Sequence, residues 1–202
     1  MRRNIFEPVH DEFRATAREF FERHCVPNVE KWEKQGKVDR EAWLAAGAAG
    51  LIGWEFDPEY GGLGIKDFRF NQIISEEMFM TGSVGIGLGV QNDILVPYLK
   101  NLTTEEQKER WLPKFIRGEY IGSIAMSEPA AGSDLAGIRT TARDEGDHWV
   151  VNGQKTFISN GLLSSLVLTA VKTDPEAGHR GISMLMIEDG MEGFTRGRKL
   201  DK

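Results

Sequence analysis

The sequence has little cysteine, and this scarcity limits what the protein can be. Cys25 is the single cysteine among 202 residues, so a disulfide framework is excluded. A metal site built from several thiolates is excluded for the same reason, and His10, His24, His148 and His179 show no metal-ligand spacing. We predict no metal site, and we expect Cys25 to be a small buried side chain on a helix.

The sequence also lacks a long apolar run and an excess of basic residues. No run reaches the length needed to cross a bilayer, and the opening MRRNIFEPVHDEF has no apolar signal core. We therefore predict no membrane span and a cytoplasmic location. The net charge of −6 argues against a nucleic-acid partner.

The part of the chain before Gly118 has the apolar spacing of helices. Apolar residues recur there every three to four positions, which predicts amphipathic helices that pack on one another. One helix is predicted to start at Pro8, and another at Arg40 with Asp39 as its N-cap. Two more are predicted over Asp67–Met80 and over Gly82–Leu99, the second with a kink at Pro97. The capping box of Thr104 and Gln107 opens a further helix.

After Gly118 the pattern changes from helical to alternating, and we place a domain boundary there. The predicted fold class is α+β, with an all-helical domain over residues 1–118 and a β-barrel-like domain over residues 119–202. Turns are predicted at Glu145–Asp147 and at Asn152-Gly153, and the Asn-Gly pair is the strongest hairpin signal. The predicted strands are Ile121–Met126, Thr140–Arg143, His148–Val151, Thr156–Ile158, Leu166–Lys172 and Gly181–Ile187.

Two glycine-rich stretches invite a phosphate-binding interpretation, and both fail it. Pro58–Gly64 follows no strand and lacks the Lys-Ser/Thr of a P-loop. Gly82–Gly89 does not have the G-x-G-x-x-G spacing of a dinucleotide fold.

The segment Tyr120–Gly137 has features of a ligand site. A strand delivers the hydroxyls of Ser127 and Ser133 to a turn stiffened by Pro129, and backbone N–H groups are freed around Gly132. Such a site could receive a flat heteroaromatic ring and a phosphate. An ordinary β-turn is the alternative that these residues leave open.

Four ordered segments resemble landmarks of one family, the FAD-dependent acyl-CoA dehydrogenases. The first signature of that family is matched by AMSEPAAGSDLAG, and its N-G-x-K-x-W-I-T-N-G segment is similar to NGQKTFISNG. The four segments are Ala125–Gly137, Asn152–Gly161, Pro58–Gly64 and Glu105–Gly118.

The resemblance implies a flavin site in the second domain. Phe157 would cover the flavin ring and Ser159 would lie near its N5 atom, although the family commonly has tryptophan and threonine there; flavin binding should survive both changes. Ser133 would meet the pyrophosphate and also the pantetheine side of the substrate. The implied cofactor-binding residues are Ile124, Met126, Ser127, Gly132, Ser133, Phe157, Ile158 and Ser159.

The resemblance also implies the chemistry, which is α,β-dehydrogenation of an acyl-CoA thioester with hydride transfer to FAD N5. The base in the family is a glutamate on a C-terminal helical domain absent from this sequence, so no catalytic residue is assigned, and we reject Glu128 as a substitute. The implied partners are acyl-CoA, electron-transfer flavoprotein and further subunits of a homotetramer. Alternatives are a flavin oxidase of the acyl-CoA oxidase or nitroalkane oxidase type, and a truncated, non-catalytic binding module.

Overall fold

The computed structural model describes residues 4–200, in which all the α-helices precede the strands. The order agrees with the predicted fold class, an all-helical domain followed by a β domain. The helices are α1 Pro8–Phe20, α2 Val29–Gln35, α3 Arg40–Ala48, α4 Arg69–Met80, α5 Val96–Asn101 and α6 Glu105–Ile116, and the strands are β1 Gly122–Ala125, β2 Thr141–Asp144, β3 Trp149–Asn152, β4 Leu166–Lys172 and β5 Ile182–Glu188.

The chain divides into two compact units, which we describe separately. One unit contains the chain up to Ile121 and is joined by the residues from Gly197 onward. The other unit is Gly122–Arg196 and contains all five strands. None of the α-helices found within residues 4–200 is long and apolar enough to span a membrane.

Aromatic side chains form much of the helical unit's core. Phe13 of α1 meets Phe70 of α4 edge to face, with ring centroids 4.9 Å apart, and Trp54 joins them at 5.5 Å from Phe13. Edge-to-face pairs add about 1 kcal/mol each to the stabilisation that burial itself provides. Trp43 of α3 is fully buried. Cys25 is also fully buried, at the end of the π-helical turn Phe21–Cys25, as predicted, and burial raises the pKa of its thiol to about 12.

A charged cluster also joins α1 to α4. The carboxylate of Glu77 accepts hydrogen bonds from Arg14 Nη1 and Arg18 Nε, both at 2.7 Å. Burial alone would raise the pKa of Glu77, but the hydrogen bonds from Arg18 and Arg14 lower it overall. The carboxylate is therefore ionised inside the helical unit because two guanidinium groups compensate its charge.

Most predicted helices are present, and the capping box is confirmed. Thr104 Oγ1 accepts from Gln107 N, and the Gln107 side chain accepts from Thr104 N. Asp39 precedes α3 as predicted, but its carboxylate does not cap the helix. It accepts instead from Lys31 Nζ and Trp32 Nε1 at 2.5 and 3.0 Å, which ties the turn before α3 to α2.

The predicted continuous helix over Gly82–Leu99 is wrong in its first half. A short 3-10 turn at Val84–Ile86 ends at Gly87, whose φ of +63° lies in the left-handed region. A π-helical turn at Val90–Leu95 then leads into α5. The helical backbone continues without a break from Leu88 to Asn101, so Pro97 lies inside a helix as predicted, and the π-helical turn directly before it is the irregularity that the proline's missing N–H favours.

The strands form one mixed sheet around β4. Strand β1 runs parallel to β4, with Ala125 opposite Thr169, and β5 pairs antiparallel with β4 along its whole length. Strand β2 meets β4 only where Thr141 lies opposite Lys172. Because β4 has neighbours on both edges, it is buried over almost all of its length.

Of the two turns predicted around the hairpin of the second unit, one is present and the other is not. Strands β2 and β3 pair antiparallel, with the reversal at Glu145–Asp147 as predicted, whereas the predicted hairpin at Asn152-Gly153 does not form. Residues 153–158 belong to no strand, so the predicted strand over Thr156–Ile158 is wrong. A Cβ on Gly153 would lie 2.2 Å from Thr140 Oγ1, so this glycine allows a close approach to Thr140 instead of a turn.

Candidate functional site

The site is built around the end of β1. The strand is buried against β4, and it ends at Ala125, which is followed by the half-buried Met126 and Ser127. The chain then turns tightly, since Glu128 N donates to Ala131 O at 2.7 Å and Ala131 N donates to Glu128 O at 3.2 Å. The turn brings the Glu128 side chain inward, where only 7% of the residue is exposed.

The Glu128 carboxylate is saturated with donors. Arg139 N donates to Oε2 at 2.6 Å, while Thr140 donates to Oε1 with both its N–H, at 2.9 Å, and its hydroxyl, at 2.5 Å. Lys155 Nζ is the fourth donor, at 2.8 Å from Oε1. We call Glu128, Thr140 and Lys155 the carboxylate hub.

The hub keeps Glu128 ionised. Burial alone would raise the pKa of its carboxyl, but the hydrogen bonds from Lys155, Thr140 and the two backbone N–H groups outweigh burial and lower the pKa to about 2. A carboxylate that is this stable as an anion is a poor proton acceptor at neutral pH. The geometry supports the rejection of Glu128 as a catalytic base.

Hydrogen bonds to the backbone hold the second signature segment against the end of β1. Lys155 Nζ donates to Met126 O at 3.0 Å, and Thr156 N donates to Ser127 O at 2.9 Å. The two segments that the sequence analysis singled out are therefore adjacent in the structure. Phe157 comes directly after this pair of contacts.

Phe157 has an unusual backbone conformation and an exposed ring. Its φ is +57°, in the left-handed region that side chains of L-amino acids rarely adopt, and 72% of the residue is exposed. Asn160 follows with φ of +63°, and its carbonyl accepts from Leu163 N and Ser164 N. Phe157 is therefore neither on a strand nor part of the core. A strained, exposed aromatic residue is a common feature of functional sites.

The other predicted site residues differ in burial. Ile124, Met126, Ser127 and Ile158 are half-buried, whereas Gly132, Ser133 and Ser159 are exposed. Met126 packs against the core cluster of Ala131, Ile138 and Ala170, so only part of its side chain is available to a ligand. A Cβ on Gly132 would meet no atom within 4 Å, which leaves its backbone open to approach. The structure joins Met126 and Ser127 to the Phe157 segment but shows no such link to Ser133.

This set of groups fits a flavin nucleotide. Within residues 4–200 the hydroxyls of Ser127, Ser133 and Ser159 form no hydrogen bond to the protein, so each can bind a ligand. An exposed aromatic face together with free hydroxyl donors suits a flat heteroaromatic ring with polar edges and a phosphate. The same part of the chain contains no group of three His, Cys, Asp or Glu side chains that could hold a metal ion.

Sequence reasoning missed the carboxylate hub. Lys155 and Glu128 are 27 positions apart, and each could be a solvated surface charge as far as the sequence tells. The available signal was that Glu128 lies in the first signature segment and Lys155 in the second. Lys155 is the single charged residue of the second segment and the first segment contains two carboxylates, Glu128 and Asp134, so an ion pair between the segments could have been suggested.

Comparison with known proteins identifies the same two parts of the chain. The family model of the acyl-CoA dehydrogenase N-terminal domain matches residues 7–119, and that of the acyl-CoA dehydrogenase middle domain matches residues 123–202. The long-chain specific acyl-CoA dehydrogenase, mitochondrial, of Mus musculus is 44% identical over 99% of this chain and 47% of its own length. The chain thus spans about half the length of the curated relatives it matches.

Solved structures agree with this result. The crystal structure of an acyl-CoA dehydrogenase from Geobacillus kaustophilus has a TM-score of 0.93 and 48% identity, covering 98% of this chain and 53% of that one. A glutaryl-CoA dehydrogenase from Mycobacterium smegmatis, crystallised in complex with FADH2, has a TM-score of 0.83 and 29% identity over 94% of this chain and 48% of that one.

Proposed function

This chain belongs to the acyl-CoA dehydrogenase family, and we propose that it holds flavin and substrate in an enzyme that dehydrogenates an acyl-CoA thioester between its α and β carbons. The observation that carries the proposal is the joining of the two signature segments. Thr156 N binds Ser127 O, and the next residue, Phe157, presents an exposed ring in a strained conformation.

FAD, when bound, supplies the acceptor for the hydride that leaves the β carbon. The residues of this chain bind and orient it. The Ser127 hydroxyl would donate to the polar edge of the ring, with Ile124 and Met126 beside it, and Phe157 would cover a ring face. Ser159 and Ile158 would lie near the reactive edge, while Ser133 and the backbone at Gly132 would contact the pyrophosphate, Ser133 also the pantetheine arm.

The α-proton needs a base, and we propose that Glu128 is not that base. Four donors are hydrogen-bonded to its carboxylate, and they lower its pKa to about 2. The described residues thus serve binding and orientation. The base is proposed to belong to the half of the family's length that this chain does not span.

The partners and location follow from the proposed reaction. Reduced flavin must pass its electrons on, and electron-transfer flavoprotein is the proposed acceptor. The proposed assembly is a homotetramer, in the cytoplasm. The mitochondrial name of the mouse relative describes that protein.

The test uses the protein isolated from its natural source. An intact mass and a visible spectrum show its length and whether it carries flavin, and the flavin absorbance should fall when acyl-CoA is added without oxygen. A colourless protein that takes up no added FAD contradicts the proposal. Rapid return of the absorbance on exposure to oxygen alone would favour the oxidase alternative, and return only with electron-transfer flavoprotein favours the dehydrogenase.

A further inference from the structure

A buried ion pair lies behind the segment that ends in Phe157. We propose that Lys155 and Glu128 are positioning residues, which hold the backbone of residues 155 and 156 against the end of β1 and thereby fix the direction of the Phe157 ring. This inference rests on the proposed function only for the role of the Phe157 ring, which is to cover a face of the flavin. The positioning itself is a property of this chain.

The burial of the pair is the first observation. The side chain of Lys155 is 10% exposed and that of Glu128 is 4% exposed, with Nζ and Oε1 at 2.8 Å. Removing two charges from water is costly, and a buried pair of this kind often stabilises a fold no better than apolar side chains of similar size. A role in fixing one conformation explains the pair better than a role in overall stability does.

The arrangement of the contacts is the second observation. The Lys155 ammonium bridges two points on the β1 side of the site, the Met126 carbonyl at 3.0 Å and the Glu128 carboxylate. The next residue, Thr156, is held by its own N–H at Ser127 O. Two consecutive residues are therefore fixed immediately before Phe157.

The third observation is the conformation that follows. Phe157 has a φ of +57°, and a residue keeps such a conformation only when its surroundings impose it. The exposed Phe157 ring makes few contacts that could impose it from its own side chain. The restraint must therefore come through the backbone, and the contacts of Lys155 and Thr156 provide it.

The close contact of Gly153 with Thr140 completes the restraint. A Cβ at position 153 would lie 2.2 Å from Thr140 Oγ1, the hydroxyl that also donates to Glu128. The hub thus touches the segment at both Gly153 and Lys155. Together these contacts leave the chain little freedom to rotate before Phe157.

Lys155→Met tests the proposal because it keeps most of the length of the unbranched side chain and removes its charge. In the flavin-free chain, hydrogen exchange of the Thr156 amide should become about tenfold faster or more. In the presence of flavin, the Kd for FAD, measured by quenching of flavin fluorescence, should rise by about tenfold or more. Lys155→Arg keeps the charge and should restore most of both properties.

Lys100→Met is the matched control. Lys100 pairs with Glu55 in the helical unit, where the two side chains are 19% and 24% exposed, and like Lys155 it also donates to a backbone carbonyl, Glu55 O at 2.9 Å. Its loss should leave the Thr156 amide and the Kd for FAD unchanged. A similar change in both variants would mean that Lys155 acts only through general stability, which overturns the proposal.

A double variant, Glu128→Gln with Lys155→Met, provides the test if the single variant does not fold, because it leaves no unpaired buried charge. Unchanged exchange at Thr156 in a folded variant overturns the positioning role even if FAD binds. If the unmodified chain binds no FAD, the proposed function fails, but the exchange measurement still decides whether Lys155 positions the segment.

Discussion

Arg14 Nη1 lies 2.7 Å from Oε1 of Glu77, and the two side chains differ greatly in their access to water. The Glu77 side chain is 1% exposed, whereas Arg14 is 22% exposed. Arg18 binds the other carboxylate oxygen and is 51% exposed. If the contacts are broken, the two guanidinium groups can be solvated, but the buried carboxylate of Glu77 cannot.

This asymmetry predicts unequal costs for removing the partners. Replacing Arg14 and Arg18 together by Met leaves Glu77 buried and uncompensated, which should lower the free energy of unfolding by about 3–5 kcal/mol. Glu77→Gln lets both guanidinium groups turn to water and should cost only about 1–2 kcal/mol. Urea unfolding of the variants measures both values. Equal losses in the free energy of unfolding would show that the uncompensated buried carboxylate is not the cause of the destabilisation.

The Glu128 carboxylate predicts a loss of stability in acid. Its pKa of about 2 in the folded chain lies below the usual value of about 4.3, so its contribution is fully present above pH 4.3 or so and disappears as the pH falls through about 2. The shift corresponds to at most about 3 kcal/mol. Unfolding free energies measured between pH 2 and 6 should therefore fall more steeply for the unmodified chain than for Glu128→Gln.

An exposed carboxylate provides the control for this pH dependence. Glu145 pairs with Arg143 at the protein surface, with side-chain exposures of 38% and 74%. Surface pairs contribute little to stability. Glu145→Gln should thus retain the pH profile of the unmodified chain, and a flattened profile would show that the effect is not specific to Glu128.

The sequence predicted the elements well where local chemistry decides them. The capping box at Thr104 and the buried strand Leu166–Lys172 are present as predicted, because a cap and a continuous apolar run depend on neighbouring residues alone. The Asn152-Gly153 pair failed because Gly153 is needed for its contact with Thr140, a residue from another part of the chain. Tertiary contact overrode turn preference there.

The sequence could name candidate residues for the site but not their conformation. Ser127 and Phe157 were identified through a resemblance, and their joint presence near the end of β1 agrees with it. The left-handed backbone at Phe157 has no local signal, since aromatic residues disfavour it. The two segments could have suggested an ion pair of Lys155 and Glu128, but not its burial, because burial of a charge depends on the folded surroundings.

Two glycines with nearly the same φ predict different costs on substitution. Gly50 and Gly118 have φ of +70° and +71°, but a Cβ on Gly50 would meet nothing within 4 Å, whereas one on Gly118 would lie 2.0 Å from Trp43 O. Gly50→Ala should cost about 1–2 kcal/mol, from backbone strain alone. Gly118→Ala should cost about 2 kcal/mol more, because α3 must move away from the end of α6. Thermal unfolding of both variants would give the difference, and equal costs would contradict the close approach.

Replacing Phe157 by glycine should leave the folding stability unchanged or slightly higher and should weaken FAD binding. Removing a buried phenylalanine usually costs about 3–5 kcal/mol, but this ring is 72% exposed and its backbone is strained. Phe157→Gly relieves about 1–2 kcal/mol of left-handed strain and loses about 0.5–1 kcal/mol through the greater freedom of glycine when unfolded. The flavin-free chain should therefore keep its stability or gain slightly, while FAD binding becomes weaker.

Phe157→Trp restores the family's usual aromatic residue and should bind FAD as well as the unmodified chain does. Denaturation and flavin titration on the same preparations measure both effects; a large loss of stability in Phe157→Gly would mean that the ring serves the fold and not a ligand.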